Sequence, residues 1–262
     1  MTDRNSSNSV ANFNKEPNEA GIEAVQQLSV ATYNVHLWVG QEGRTDPDRV
    51  LSVIREMNAD IVALQEAGYP EREEEPYGVD YISRITNRYV ILGPTLKNNK
   101  GHFGNMLLTR YPVSQICHIN LSVANSEPRG ALNVCLDVHG TSVRVIATHL
   151  GLKWRERRYQ LRRLLKHATE DTNQMLILMG DFNVWSPLSK LFRQIEHNFG
   201  KTPALRTYPA FFPLFRLDRI WVRPRGALVH ILVHQTPSSK KASDHLPVKA
   251  VIALNGNPLQ ST

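Results

Sequence analysis

Four apolar runs in this chain end on a residue that can do chemistry: SVATY stops at Asn34, IVALQ at Glu66, VRVIAT at His149 and MLILMG at Asp181. Two more acids, Asp218 and Asp244, stand at the tips of strand-like stretches, and His245 follows directly. One such ending is ordinary turn chemistry, because Asn and Asp favour turns. Repeated along the chain, the endings place acids, an amide and imidazoles at sheet edges, where a rigid scaffold converges groups distant in sequence. Carboxylates with amides favour a hard, oxygen-ligated ion such as Mg2+ or Mn2+ over a Cys/His zinc site. The histidines add acid and base groups that work near neutral pH. A hard metal with acid/base histidines is the equipment for attack of water on a phosphate ester. There is no Ser-centred nucleophile elbow, no P-loop and no dinucleotide-binding glycine pattern in the sequence.

The elements that must hold these residues are mostly strands. Apolar or alternating runs predict strands at about 28–35, 60–65, 89–93, 105–109, 113–121, 131–139, 142–148, 175–180, 217–222, 228–233 and 246–253. Helical patterns are fewer. Asp46-Pro47 supplies an N-cap and a first-turn proline ahead of Val50, Val53, Ile54 and Met57. Leu161, Leu164, Leu165 and Ala168 form one stripe after Lys153, and Ser186-Pro187 opens a third helix with Leu188, Leu191, Phe192 and Ile195 inward. Such an excess of strands argues for packed β-sheets flanked by a few helices, not a doubly wound parallel sheet.

With 262 residues, 41% hydrophobic and 21% charged, the chain can bury a large core. Residues 1–27 are rich in Asn, Ser and Glu and read as a disordered tail, leaving 28–262 as one catalytic domain. Glu71, Glu73, Glu74 and Glu75 make a solvated acidic loop. Cys117 and Cys135 lack metal-ligand spacing and are expected to be buried free thiols. No run reaches the ~18 apolar residues of a membrane span, and no signal-like apolar segment opens the chain, so a cytoplasmic monomer is expected. The formal charge of +7 would steer the protein toward phosphates, nucleic acid or anionic lipid.

The series TYN (32–34), LQE (64–66), THL (148–150), GDFN (180–183), RLDRIWV (216–222) and SDHLPV (243–248) resembles the endonuclease/exonuclease/phosphatase superfamily. Its members include pancreatic-type deoxyribonucleases, apurinic endonucleases, inositol polyphosphate 5-phosphatases and neutral sphingomyelinases. The resemblance implies an α/β (α+β) fold, a four-layer sandwich of two packed mixed β-sheets flanked by helices. It also implies a metal-dependent phosphoric ester hydrolase using Mg2+ or Mn2+. By the same resemblance Glu66 is the main metal ligand, with Asn34 beside the same ion and Asp244 a carboxylate on the metal side or just behind it. Asp181 corresponds to the acid that orients the attacking water, and Asn183 to the amide on a phosphate oxygen. His245 corresponds to the catalytic histidine held by Asp218, as base or as transition-state stabiliser. His149 stands where the deoxyribonuclease and sphingomyelinase branches place a second histidine. Read from the residues alone, Asn183 could instead cap the helix near Ser186, and Asp218 could pair with Arg216 or Arg219. His36 stands where apurinic endonucleases usually carry an Asp and His149 where they carry a Tyr; both weigh against abasic-site repair, and His36 reads as a loop histidine or else a site residue.

Three arginines are further candidates for binding substrate. Arg110 and Arg129 follow the family-like stretches GNMLLTR and EPRGA, and Arg157 lies in the basic segment 153–166. That segment reads first as the wet face of a helix and second as a phosphate-tracking ridge. Lys240 and Lys241 stand just before SDH, at the rim of the site. The aromatic run TYPAFFPLF (207–215) is expected to pack in the core or as a wall of the site, the alternative being a mobile apolar loop that touches a lipid surface or stacks bases. The substrate expected is a phosphodiester in nucleic acid or an anionic lipid, or a small phosphate ester. Charge alone favours a nuclease.

Overall fold

Strands buried on both faces read as near-continuous apolar runs, and this chain has many of them. The computed structural model describes residues 26–70, 77–98, 101–170, 174–185 and 190–254. All the runs predicted as strands form strands. Six of them, β1 (Gln27–Asn34), β2 (Ile61–Tyr69), β3 (Tyr89–Asn98), β4 (Gly101–Thr109), β10 (Leu228–Val233) and β11 (Val248–Ala253), make one mixed sheet. Its order is β10-β11-β1-β2-β4-β3, with β1 and β2 parallel. The second sheet joins β5 (Val113–Asn120), β6 (Gly130–Val138), β7 (Thr141–His149), β8 (Met175–Asp181) and β9 (Asp218–Arg223) in sequence order. Here β7 and β8 are the parallel pair.

Alternate residues sort into layers. Val30, Ala63 and Leu107 of the first sheet meet Leu132, Val145 and Met179 of the second in the central core. Their neighbours Ala31, Val62 and Leu108 face the other way, onto α1 (Pro47–Met57) and Ile82 of α2 (Val79–Thr86). On the far side Ile146, Leu178 and Trp221 pack against α3 (Trp154–Thr169) and α4 (Lys190–Phe199). Helices, sheet, sheet and helices make the four layers that the resemblance implied.

The helix at Pro47 opens as expected, its first turn capped by Asp46 accepting from the Arg49 N–H at 3.0 Å. Helix α2 and the short α5 (Ser239–Ala242) were not foreseen. Ser186-Pro187 and Leu188, placed at the start of the third helix, lie outside the described residues, as do residues 1–25 and the acidic loop. Phe192 and Ile195 do turn inward from α4. The thiols correct the expectation. Both are free, but Cys117 is exposed on the edge strand β5, and Cys135 is half-buried on β6, between the core-facing Val134 and Leu136. No described helix is long and apolar enough to cross a membrane.

Candidate active site

Both parallel pairs deliver their C-terminal ends to the same rim of the sandwich. Asn34 pairs in register with Gln65, and His149 with Asp181. Asp181 in turn stands opposite Asp218, the first residue of the antiparallel β9. The loop before β11 brings Asp244 and His245 to that rim, since β11 runs antiparallel to β1 with Val248 opposite Thr32. Glu66 arrives by a different device. The ladder between β2 and β4 slips between Leu64 and Ala67, and Glu66 sits in this bulge with φ of 54°. Bulges re-aim side chains, and a non-glycine residue held at positive φ stores roughly 1–3 kcal/mol. Gly180 has the matching backbone demand. At its φ of 146° an added Cβ would lie 1.9 Å from the Thr148 carbonyl oxygen, so β8 can hug β7 there only as glycine.

Asn34 ties the two sheets together. Its amide nitrogen donates to Glu66 Oε1 and to Asp181 Oδ2, each at 3.1 Å, and its Oδ1 accepts from the His36 N–H at 3.0 Å. The other Asp181 oxygen accepts from the Asn183 N–H at 2.9 Å. The Asn183 side chain donates to the Leu150 carbonyl at 2.9 Å and lies 3.0 Å from His149 Nε2, so its amide nitrogen faces the site. Asp218 pairs with neither neighbouring arginine. Its Oδ2 accepts from Thr207 Oγ1 at 2.5 Å and meets His245 Nδ1 at 2.9 Å. Among the described residues, its buried Oδ1 has no partner. Arg129, also buried, brings its guanidinium 3.2 Å from His149 Nδ1 and pairs with Glu127 at 3.0 Å.

Burial sets the charges of these groups. His149 is desolvated and faces Arg129 and His245; Asp181 only partly offsets this, and the ring is pushed down to about 3 and stays neutral. Desolvation acts on His245 in the same sense. It is outweighed by the Asp218 carboxylate, with Asp181 and Asp244 beyond, so the ring is held up at about 10 and is cationic at neutral pH. Asp181 is raised above the usual carboxylate range, first by burial and then by Asp218.

A cleft of about 340 Å³ lies over these groups, lined by Glu66, Arg129, His149, Asp181, Asn183, Asp244 and His245. Two predicted residues are not brought there. Arg110 sits at the opposite end of β2, bonded to Asp60 at 2.9 Å and Asn58 at 2.5 Å, because it follows β4 at the end where β2 begins. Arg157 is buried at the start of α3 and donates to the carbonyl oxygens of Gly151 and Leu152, so it holds a loop and offers no ridge to a ligand. His36 lies at the rim, its Nδ1 3.9 Å from Asp244 Oδ1. Residues not foreseen also line the cleft. Tyr208 lies 4.8 Å from the His245 ring and, with Trp185, forms one wall; its only signal was its place in the aromatic run. That run splits: Tyr208 and Phe215 pack with Trp185 as the expected wall, whereas Phe211 and Phe212 are exposed.

The sequence profile described as the Endonuclease/Exonuclease/phosphatase family matches residues 31–245. The chain belongs to that family. Its members are phosphoester hydrolases that generally use a divalent metal. The chain is 31% identical to the uncharacterized protein YbhP of Escherichia coli (strain K12), over 88% of this chain and 99% of that one. The fold is shared with a solved endonuclease/exonuclease/phosphatase from Beutenbergia cavernae DSM 12333, at TM-score 0.71 and 23% identity over 87% of this chain and 72% of the other. It is shared also with a mannosyl-6-phosphatase of Bacteroides thetaiotaomicron VPI-5482, at TM-score 0.67 and 18% identity over 86% and 99%.

Among the described residues two groupings could hold a metal. Asp181, Asp218 and His245 bring three ligand atoms within 4.8 Å of one another. Two of those residues are already committed, since His245 Nδ1 and Asp218 Oδ2 bond each other. Glu66 has a freer carboxylate: Oε1 accepts only from Asn34, and the group is open to the cleft. Asn34 meets it through the amide nitrogen, so the oxygen donors on this side of the cleft are the carboxylates of Glu66 and Asp244, which suit a hard cation.

Proposed function

We propose that the chain hydrolyses phosphodiesters, with water as nucleophile and Mg2+ or Mn2+ as cofactor. One observation carries this reading. Asn34, Glu66 and His245 from one sheet and its loops and His149, Asp181, Asn183 and Asp218 from the other meet in a single hydrogen-bonded site at the cleft. Glu66, with Asn34 and Asp244 alongside, would hold the metal, which supplies Lewis-acid stabilisation of charge on the phosphoryl oxygens. Asp181, made a stronger base by burial, which lifts it above the usual carboxylate range, accepts the proton of the attacking water and orients it. His245 is kept cationic by Asp218, so it serves as a charge and proton donor to the phosphate rather than as a base. Neutral His149 and the Asn183 amide donate hydrogen bonds to phosphate oxygens, and Arg129 places a fixed positive charge behind His149.

The test is hydrolysis of bis-p-nitrophenyl phosphate, with p-nitrophenyl phosphate as the monoester control. Hydrolysis of the diester is expected with added Mg2+ or Mn2+ and lost on chelation. Turnover undiminished after exhaustive chelation would falsify the metal assignment. Preference for the monoester would move the reading to a phosphatase.

A further inference from the structure

Most exposed apolar side chains on a protein surface are scattered singly and need no explanation. Here they collect around the mouth of the cleft. Phe211 and Phe212 are 67% and 63% exposed, and Leu214 48%. All three stand at the tip of a hairpin closed by the Tyr208–Phe215 bridge, whose N–H groups and carbonyls bond across it. At its base Tyr208 touches the His245 ring, and Phe215 lies 4.7 Å from Trp185. Across the cleft Leu152 is 63% exposed, and Trp154 beside it is 55% exposed at the start of α3. Leu152 and Trp185 both line the cleft itself.

Cations flank this apolar rim. Arg155, Arg158 and Arg162 share a shallow hollow of about 330 Å³ with Trp154 and Tyr159, and the Arg158 guanidinium lies 5.5 Å over the Trp154 ring. The acid of that helix start, Glu156, is turned inward and buried, where it accepts from Gln160 and from the Lys153 N–H. The outer face of these first turns therefore offers cations without a compensating acid.

We propose that this face docks on an anionic lipid bilayer and that the phosphodiester taken by the cleft is a lipid headgroup. The proposal rests on the hydrolytic reading above. Trp and Tyr sit well at the headgroup level, Phe and Leu insert beneath it, and Arg and Lys are drawn to anionic lipid. Insertion of the hairpin tip would bring its base, and hence His245, to the depth of the phosphates. Single-stranded nucleic acid asks for aromatic rings interleaved with cations along a groove, a pattern that the hollow at the start of α3 offers and the rest of the rim does not. Residues 208–215 contain no charge, and the exposed Leu152 and Leu214 have no ring to stack.

Flotation of the full chain with vesicles tests this, in chelator so that no turnover occurs. Vesicles of phosphatidylcholine mixed with phosphatidylglycerol are compared with pure phosphatidylcholine. Binding to the mixed vesicles is expected, with a blue shift of tryptophan emission from Trp154 and Trp185; Trp38 and Trp221 are already buried. The double substitution Phe211→Ser, Phe212→Ser is expected to weaken partition ~tenfold or more, given the transfer free energy of two aromatic rings. Arg155→Glu with Arg158→Glu is expected to weaken it and flatten its salt dependence. All four residues are exposed, so a matching melting temperature checks the fold. Absence of partition, or partition unchanged in both variants, overturns the docking face. Loss of single-stranded oligonucleotide binding in the variants, with no vesicle binding by the parent, assigns the face to nucleic acid. With metal restored, phosphate-bearing headgroups should be released from the mixed vesicles; no release alongside turnover of the soluble diester overturns the lipid substrate. Failure of the soluble diester itself strikes only the hydrolytic reading, because vesicle binding is scored without it.

Discussion

His149 and His245 face one cleft, are buried alike and yet differ in charge. The difference lies in their partners: a guanidinium beside one ring, a buried carboxylate bonded to the other. A site that separates two similar groups in this way has assigned them different work, here a neutral donor and a cation. On the proposed mechanism Asp218 acts through His245, so His245→Ala and Asp218→Ala are each expected to cut kcat, by ~10²–10⁴-fold for the histidine. The double variant should cost little more than His245→Ala alone, since groups that act as a unit are non-additive. Losses that multiply in steady-state assays would mean that Asp218 does separate work. The residue types were legible before any fold was known, because an acid or imidazole ending an apolar run is a local signal. The arginines were not. Arg110 and Arg157 also adjoin apolar runs, but which end of a strand faces the site depends on its direction in the sheet, and a residue at the start of a helix faces in or out by its angle. Neither is written in spacing.

At the scale of elements, the loop from Leu150 to Lys153 connects β7 to α3 and carries one side of the cleft. A chain of bonds from the first turns of α3 helps to hold it. The Gly151 N–H donates to Gln160 Oε1 at 2.8 Å, Gln160 Nε2 donates to Glu156 at 3.1 Å, and Arg157 grips the Gly151 carbonyl at 3.3 Å. Gly151 leaves room for this, as a Cβ there would fall 2.0 Å from the Glu156 carboxyl carbon. Gln160→Leu keeps volume but strands a buried N–H and a buried carboxylate. Unfolding in urea is expected to show a loss of about 1–3 kcal/mol. An unchanged midpoint would mean that Arg157 holds the loop unaided. The strands were readable because double burial leaves long runs of Val, Ile and Leu. Helix α2 was not, since its stripe of Val79, Ile82 and Ile85 lies in only eight residues, too short for a helical period to stand out. The hairpin at 207–215 misled for a related reason. Aromatic rings argue for burial on average, and only the chain path shows that Phe211 and Phe212 reach a tip with nothing above them.

The whole molecule is two sheets joined by a common core, and its site lies where their edges meet. Asn34 and Glu66 belong to one sheet and Asp181, His149 and Asp218 to the other, with the Asn34 amide as their direct bridge. Acids are therefore gathered from both sheets, and their mutual repulsion opposes closing the rim. A divalent cation bound there would relieve that repulsion and bind the folded chain alone, so it should stabilise by mass action. At ~100-fold excess over its dissociation constant the gain is about 2.7 kcal/mol. For a domain of this size that corresponds to a rise of roughly 5–10 °C in the melting temperature. Differential scanning calorimetry with Mg2+ or Mn2+ against chelator measures it directly. The choice between the two possible metal groupings follows from the same scan. Glu66→Gln keeps the shape and the acceptor facing Asn34 but removes the charge. The variant is expected to melt in chelator no lower than the parent and to lose the metal-dependent rise. An equal rise in both proteins would take the metal away from Glu66 and assign it to Asp181, Asp218 and His245, in which case their hydrogen-bonded pair would have to open to admit it.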